Sequence, residues 1–231
     1  MNREPNISIM KDDLGTKRYC AVLFDMDGVL VDSMHHHAES WISVFQEYGV
    51  HLTKNEIFRR EGMSGLESIV DIFREKKMPV PSQEELKKLQ LKKLRLFEER
   101  EIALYPFAED MLVWCRERGI AMGLVTGSLR RSVSHVLPER IIDYFATIVT
   151  VEDITSGKPH PEPYLRACNN LACMERAVLA VENAPLGIQS AKGAGLDCVA
   201  LQTTLDASFL THADRVFLSH RELLDYFKIV L

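Results

Sequence analysis

The order of apolar runs predicts an α/β fold, a doubly wound parallel sheet of Rossmann type with an all-helical block inserted after its first strand. Three observations carry that prediction. Short runs such as Ala21–Phe24, Ile120–Val125 and Ala177–Val181 are continuously apolar, as strands buried on both faces are. Each stops abruptly at polar residues, and from Tyr105 onward strand and helix patterns alternate, which implies right-handed βα crossovers. Between His35 and Ala103, by contrast, only helical periodicity is found. The expected organisation is a core of residues 17–33 and 104–231, a helical insertion of residues 34–103, and a polar N-terminal extension of residues 1–16.

After the opening strand, Ala38, Trp41, Ile42, Val44, Phe45 and Tyr48 recur at helical spacing, and Gly49 ends that helix. Thr53 with Glu56 forms a capping-box pattern for a second helix. A third is expected over Leu66–Lys77, and Ser82, with Glu84 and Glu85 behind it, starts a fourth. The core then continues with a helix over Phe107–Arg118, a strand ending at Thr126-Gly127-Ser128, a helix near Arg130–Val136 and a strand over Ala146–Val151. Helices over Pro161–Leu171 and Pro185–Ala194 flank the strand that stops at Glu182-Asn183, and two weaker strands follow at Asp197–Leu201 and Asp214–Leu218. Trp41, Phe45, Trp114 and the methionines are expected in the core.

A net charge of −5 argues against nucleic acid as the main partner. No apolar stretch is long enough for a membrane span or a signal peptide. The five cysteines, without a CxxC pair, read as reduced core residues and imply a reducing compartment; a cytoplasmic protein is expected, and a monomer.

In open α/β sheets ligands bind outside the carboxyl ends of the strands. There the runs place Asp25 and Asp27, Thr126 and Ser128, Lys158, and Glu182 with Asn183. Carboxylate and amide oxygens suit a hard cation such as Mg2+. A hydroxyl, turn amides and a lysine suit a phosphate, and a carboxylate beside both can attack phosphorus. Singly, each group has a plain explanation: an Asp-Gly turn, a helix cap, a surface lysine. Their coincidence at successive strand ends does not.

The motifs FDMDGVLVDS, VTGS, GKPHPEPY and VENAPLGIQSAKGAG resemble, in order and spacing, those of the haloacid dehalogenase-like superfamily. The helical insertion resembles the small cap of the subgroup containing β-phosphoglucomutase and its phosphatase relatives. The resemblance implies Mg2+-dependent hydrolysis of a small phosphorylated metabolite through an aspartyl-phosphate. Asp25 would be the nucleophile and Asp27 the acid and base, Asp27 holding the proton near neutral pH while Asp25 stays ionised on the metal. Thr126, Gly127, Ser128 and Lys158 would bind phosphate, and Asp25, Asp27, Glu182 and Asn183 the metal. Many relatives carry Glu-Asp where this chain has Glu182-Asn183, which removes a charge from the metal site.

In the insertion, His37 and Lys93 match positions found in relatives. The loop Glu61-Gly62-Met63-Ser64-Gly65 holds no arginine to grip a second phosphate of a sugar bisphosphate. Hydrolysis, of a phosphomonoester or of inorganic pyrophosphate, is therefore expected over a mutase reaction. The alternative of another class is a binding or regulatory protein that kept the fold without its chemistry.

Overall fold

The computed structural model describes residues 19–231; the expected N-terminal extension, residues 1–16, and residues 17–18 of the expected core lie outside them. Six strands form one parallel sheet in the order β3-β2-β1-β4-β5-β6. They are β1 (Ala21–Phe24), β2 (Ala121–Val125), β3 (Thr147–Val149), β4 (Val178–Glu182), β5 (Asp197–Leu201) and β6 (Arg215–Phe217). Phe24 at the end of β1 pairs with Leu124 of β2 and Val181 of β4, so the three chains leave the sheet at one edge.

The absence of alternation in β1 has its cause in two core layers. Val22 and Phe24 face a cluster with Met111, Leu112, Leu223 and Phe227, from α5 (Ala108–Glu117) and α10 (His220–Val230). Ala21 and Leu23 face Tyr164, Ala167, Ile188 and Ala191, from α8 (Glu162–Leu171) and α9 (Pro185–Gly193).

The stretch between β1 and β2 folds as α1 (Met34–Gln46), α2 (Lys54–Phe58), α3 (Gly65–Glu75) and α4 (Gln83–Glu98) around its own apolar cluster, with Trp41, Phe45, Ile57, Phe73, Leu86 and Leu89. Thr53, Ser64 and Ser82 each close a capping box with a glutamate three residues on. Leu205, from the loop after β5, is buried in the same cluster. The two connecting segments run side by side: Asp32 N donates to Ala103 O, and Tyr105 N donates to Leu30 O, both at 2.9 Å.

Four expectations are corrected. β3 stops at Val149, because the Thr150 amide and hydroxyl both turn to the Asp153 carboxylate and start a short 3-10 turn. Two helices beyond those expected are present, α7 (Glu139–Ile142), which follows α6 (Arg130–Val136), and α10, whose cap Ser219 accepts from Glu222 N. Met174 is exposed and Trp114 half-buried, so neither is a core residue. Cys115, Cys168 and Cys198 are buried thiols, but Cys20 and Cys173 are only half-buried. Among the described residues no helix is long and apolar enough to cross a membrane.

Candidate active site

A cavity of about 340 Å3 lies between the strand ends and the helical block, and Asp25, Asp27, His37, Glu61, Lys93 and Thr126 are among its walls. Asp25 follows β1 directly and is buried, its Oδ1 accepting from Lys158 Nζ at 2.6 Å. The same ammonium donates to Glu182 Oε1 at 2.6 Å and to Val125 O at 3.0 Å, so all three of its hydrogens are directed. Burial first, then Glu182 and Asp27, push the Asp25 carboxyl up against the pull of Lys158. Burial would lower Lys158, but its two carboxylate partners outweigh burial and hold it above the ordinary lysine range.

Asp27 is bound differently. Its Oδ1 accepts from Ser33 Oγ at 2.6 Å and lies 3.0 Å from His37 Nε2, while Oδ2 accepts from Ser128 Oγ at 2.9 Å. Burial would raise it, yet these partners win and bring it down to about 2. His37 Nδ1 lies 2.5 Å from Lys93 Nζ. An ammonium can only donate, so Nδ1 accepts and Nε2–H points at Asp27. Burial and Lys93 keep His37 below its usual range, and its pull on Asp27, by charge first and then by hydrogen bond, is the largest of Asp27's partners. Burial also pulls Lys93 down to about 8. By their protein neighbours alone, Asp25 is the carboxyl held high and Asp27 the one held low; the sequence expectation of an ionised Asp25 concerned the metal-bound carboxylate. The cause is neighbourhood, hydroxyl and imidazole donors at Asp27 against carboxylates at Asp25.

Thr126 is buried at the end of β2, and its Oγ1 accepts from Ser128 N at 3.0 Å. A Cβ on Gly127 would stand 2.7 Å from Gly62 O, so only glycine lets the Glu61–Gly65 loop lie this close to the strand ends. Glu61 is buried and accepts from Asn183 Nδ2 at 2.8 Å. Burial, with Asp25 close by, raises its carboxyl well above the ordinary value.

Every site residue named from sequence therefore falls in one cluster, with two changes of partner. Ser128 turns its hydroxyl to Asp27 rather than outward. Both oxygens of Glu182 are engaged, Oε1 by Lys158 and Tyr164 and Oε2 by Asn183 N at 3.2 Å. Asn183 Oδ1, by contrast, is buried without a hydrogen-bond partner. Sequence reasoning missed Ser33, although it stands six positions after Asp27 in the first motif. It also missed Thr204, whose Oγ1 lies 3.4 Å from Asn183 Nδ2, and for which no sequence signal exists.

The haloacid dehalogenase-like hydrolase family model matches residues 22–201. Validoxylamine A 7'-phosphate phosphatase of Streptomyces hygroscopicus subsp. limoneus is 29% identical over 197 residues, covering 85% of this chain and 92% of its own. Phosphorylated carbohydrates phosphatase of Thermotoga maritima is 27% identical over 215 residues, 91% of this chain and 99% of its own. A solved structure from Bacteroides vulgatus, provisionally named a β-phosphoglucomutase, superposes with a TM-score of 0.83 at 33% identity, covering 92% of this chain and 89% of that one. With the carboxylate pair, the lysine and the parallel sheet in place, the chain belongs to the haloacid dehalogenase-like hydrolases, in their β-phosphoglucomutase-like phosphatase group.

Proposed function

We propose that the protein is a Mg2+-dependent phosphohydrolase of a small phosphorylated metabolite, with residues 34–103 acting as a cap over the core segments 17–33 and 104–231. The observation that carries the reading is the juxtaposition of Asp25 and Lys158 at 2.6 Å, beside a cavity that Asp25 and Asp27 both line. In this reading Asp25 attacks phosphorus and forms the aspartyl-phosphate as the bond to the leaving oxygen breaks. Asp27, protonated as the substrate binds by a proton taken from the phosphate monoanion or from solvent, gives that oxygen the proton, then takes one from the water that hydrolyses the intermediate. Lys158, the Thr126 hydroxyl and the Gly127 amide receive the phosphoryl oxygens, where positioning and electrostatics supply most of the catalysis. The charge of an arriving phosphate raises Asp27 from its low resting value, which favours protonation at the moment it is needed.

The residues fit a hard divalent cation. Asn183 Oδ1 is buried and unpartnered, and the Asp25 and Glu182 carboxylates flank Lys158 with Glu61 close to Asp25. Among the described residues no three His, Cys, Asp or Glu side chains form a metal cluster. The holders proposed are the Asp25 carboxylate, Asn183 Oδ1 and the main-chain carbonyl of Asp27, with Glu182 kept for Lys158. Bound there, Mg2+ supplies positive charge that offsets the repulsion between the phosphoryl oxygens and Asp25.

The cavity volume and its apolar wall of Met34, Trp41, Ile57 and Leu66 support a phosphomonoester with a compact organic leaving group. The named relatives act on phosphorylated carbohydrates or a related phosphate ester, which agrees. Lys93 behind His37 supports a second reading, inorganic pyrophosphate, whose leaving group is itself an anion. Phosphate release from pyrophosphate, phosphoglycolate and glucose phosphates, with and without Mg2+, tests both. Interconversion of hexose 1- and 6-phosphates without release would instead establish a mutase. No turnover of any of them with Mg2+ would leave a binding protein.

A further inference from the structure

Tyr164 is fully buried under the site, on α8, and has no part in the scheme above. Its hydroxyl donates to Glu182 Oε1 at 2.6 Å, the oxygen that also accepts from Lys158 Nζ at 2.6 Å. The ammonium lies 5.3 Å from the centre of the Tyr164 ring. A separate element has made room for the same carboxylate: a Cβ on Gly187 in α9 would stand 2.0 Å from Glu182 Oε1. Two helices from different parts of the chain thus converge on where one glutamate oxygen sits.

The three hydrogens of Lys158 go to Asp25, Val125 O and Glu182. To meet a phosphoryl oxygen the ammonium must yield one of them. Taking it from Asp25 or from a main-chain carbonyl breaks the frame that aims it. Taking it from Glu182 would strand a buried carboxylate oxygen unless a second donor stays behind. Tyr164 is that donor. We propose that Tyr164 is a positioning residue for phosphoryl transfer, its hydroxyl pinning Glu182 and satisfying it as Lys158 turns a hydrogen toward the phosphoryl group. The proposal rests on the phosphoryl-transfer reading above.

The test uses the full chain with Mg2+ and two probes, p-nitrophenyl phosphate and inorganic pyrophosphate, taking whichever the parent hydrolyses faster. Tyr164→Phe keeps the ring and removes the donor. It is expected to lower kcat by about tenfold, with KM within about twofold and the melting temperature within a few degrees of the parent. Gly187→Ala displaces Glu182 from the other side. Because both substitutions act through one carboxylate, the double variant is expected to be no worse than the weaker single variant by more than about twofold. A parent-like kcat for Tyr164→Phe overturns the proposal, as does a double variant whose loss is the product of the two single losses. Asp25→Asn separates the premises: if it turns over as fast as the parent, or the parent releases phosphate from neither probe, the phosphoryl-transfer reading has failed instead.

Discussion

Lys93 Nζ lies 2.5 Å from His37 Nδ1, and through that ring the ammonium reaches Asp27, 66 positions earlier in the chain. The contact ties α4 of the helical block to the strand-end carboxylate across the cavity. Lys93→Met keeps the length of the buried stem and removes the ammonium, which lies over the Trp41 and Phe97 rings and fixes the imidazole tautomer. We expect kcat to fall by about ten- to a hundredfold with the fold intact. Steady-state kinetics beside a melting curve check this, and an unchanged kcat would remove Lys93 from the relay.

Asp25→Asn removes the proposed nucleophile while keeping its shape. Turnover is expected to drop by at least about a thousandfold. Acid-quenched protein should carry phosphate in the parent and none in the variant, measured by intact mass.

Asp25 and Asp27 predict opposite stability slopes with pH. Asp27 is held low, so the unfolded chain binds more protons than the folded one between about pH 2 and 4. The stability it contributes is present above that window and lost as pH falls through it. Asp25 is held high, so its contribution is present in acid and lost as pH rises beyond the ordinary carboxylate range. A cation at Asp25 favours the ionised form and cancels the second slope. Melting curves between about pH 4 and 8 in EDTA and in Mg2+ should therefore separate increasingly as pH rises. Coincident curves would count against a cation at Asp25.

Gly127→Ala places a Cβ where Gly62 O now lies. The Glu61–Gly65 loop must then stand back from the strand ends, and we expect kcat to fall about tenfold or more with little change in melting temperature. Parent-like kinetics would show that the close approach is dispensable.

The sheet and the site were legible from the chain for the same reason. A buried parallel strand must be apolar throughout, so its polar stop marks the edge where ligands bind, and Asp25, Thr126, Lys158 and Glu182 all lie at or beyond such stops. The capping boxes at Thr53 and Ser82 were equally readable, being local. The opposite pulls on Asp25 and Asp27 were not, because burial with Glu182 raises the first while His37, Ser33 and Ser128 lower the second, partners brought together only by folding. Tyr164 stands in plain view inside GKPHPEPY, yet its role depends on Glu182, eighteen positions away. The helix at His220–Val230 was missed although Ser219 and Glu222 carry a start signal, since it follows a strand of only three residues.

Leu205 belongs by sequence to the loop after β5 and by packing to the interior of the helical block. Any outward swing of that block draws a leucine side chain into water, at a cost of about 1.5–3 kcal/mol. That contact weights the balance toward the arrangement in which the helical block lies over the strand ends. Admitting a substrate by swinging the block outward would carry that cost at each opening.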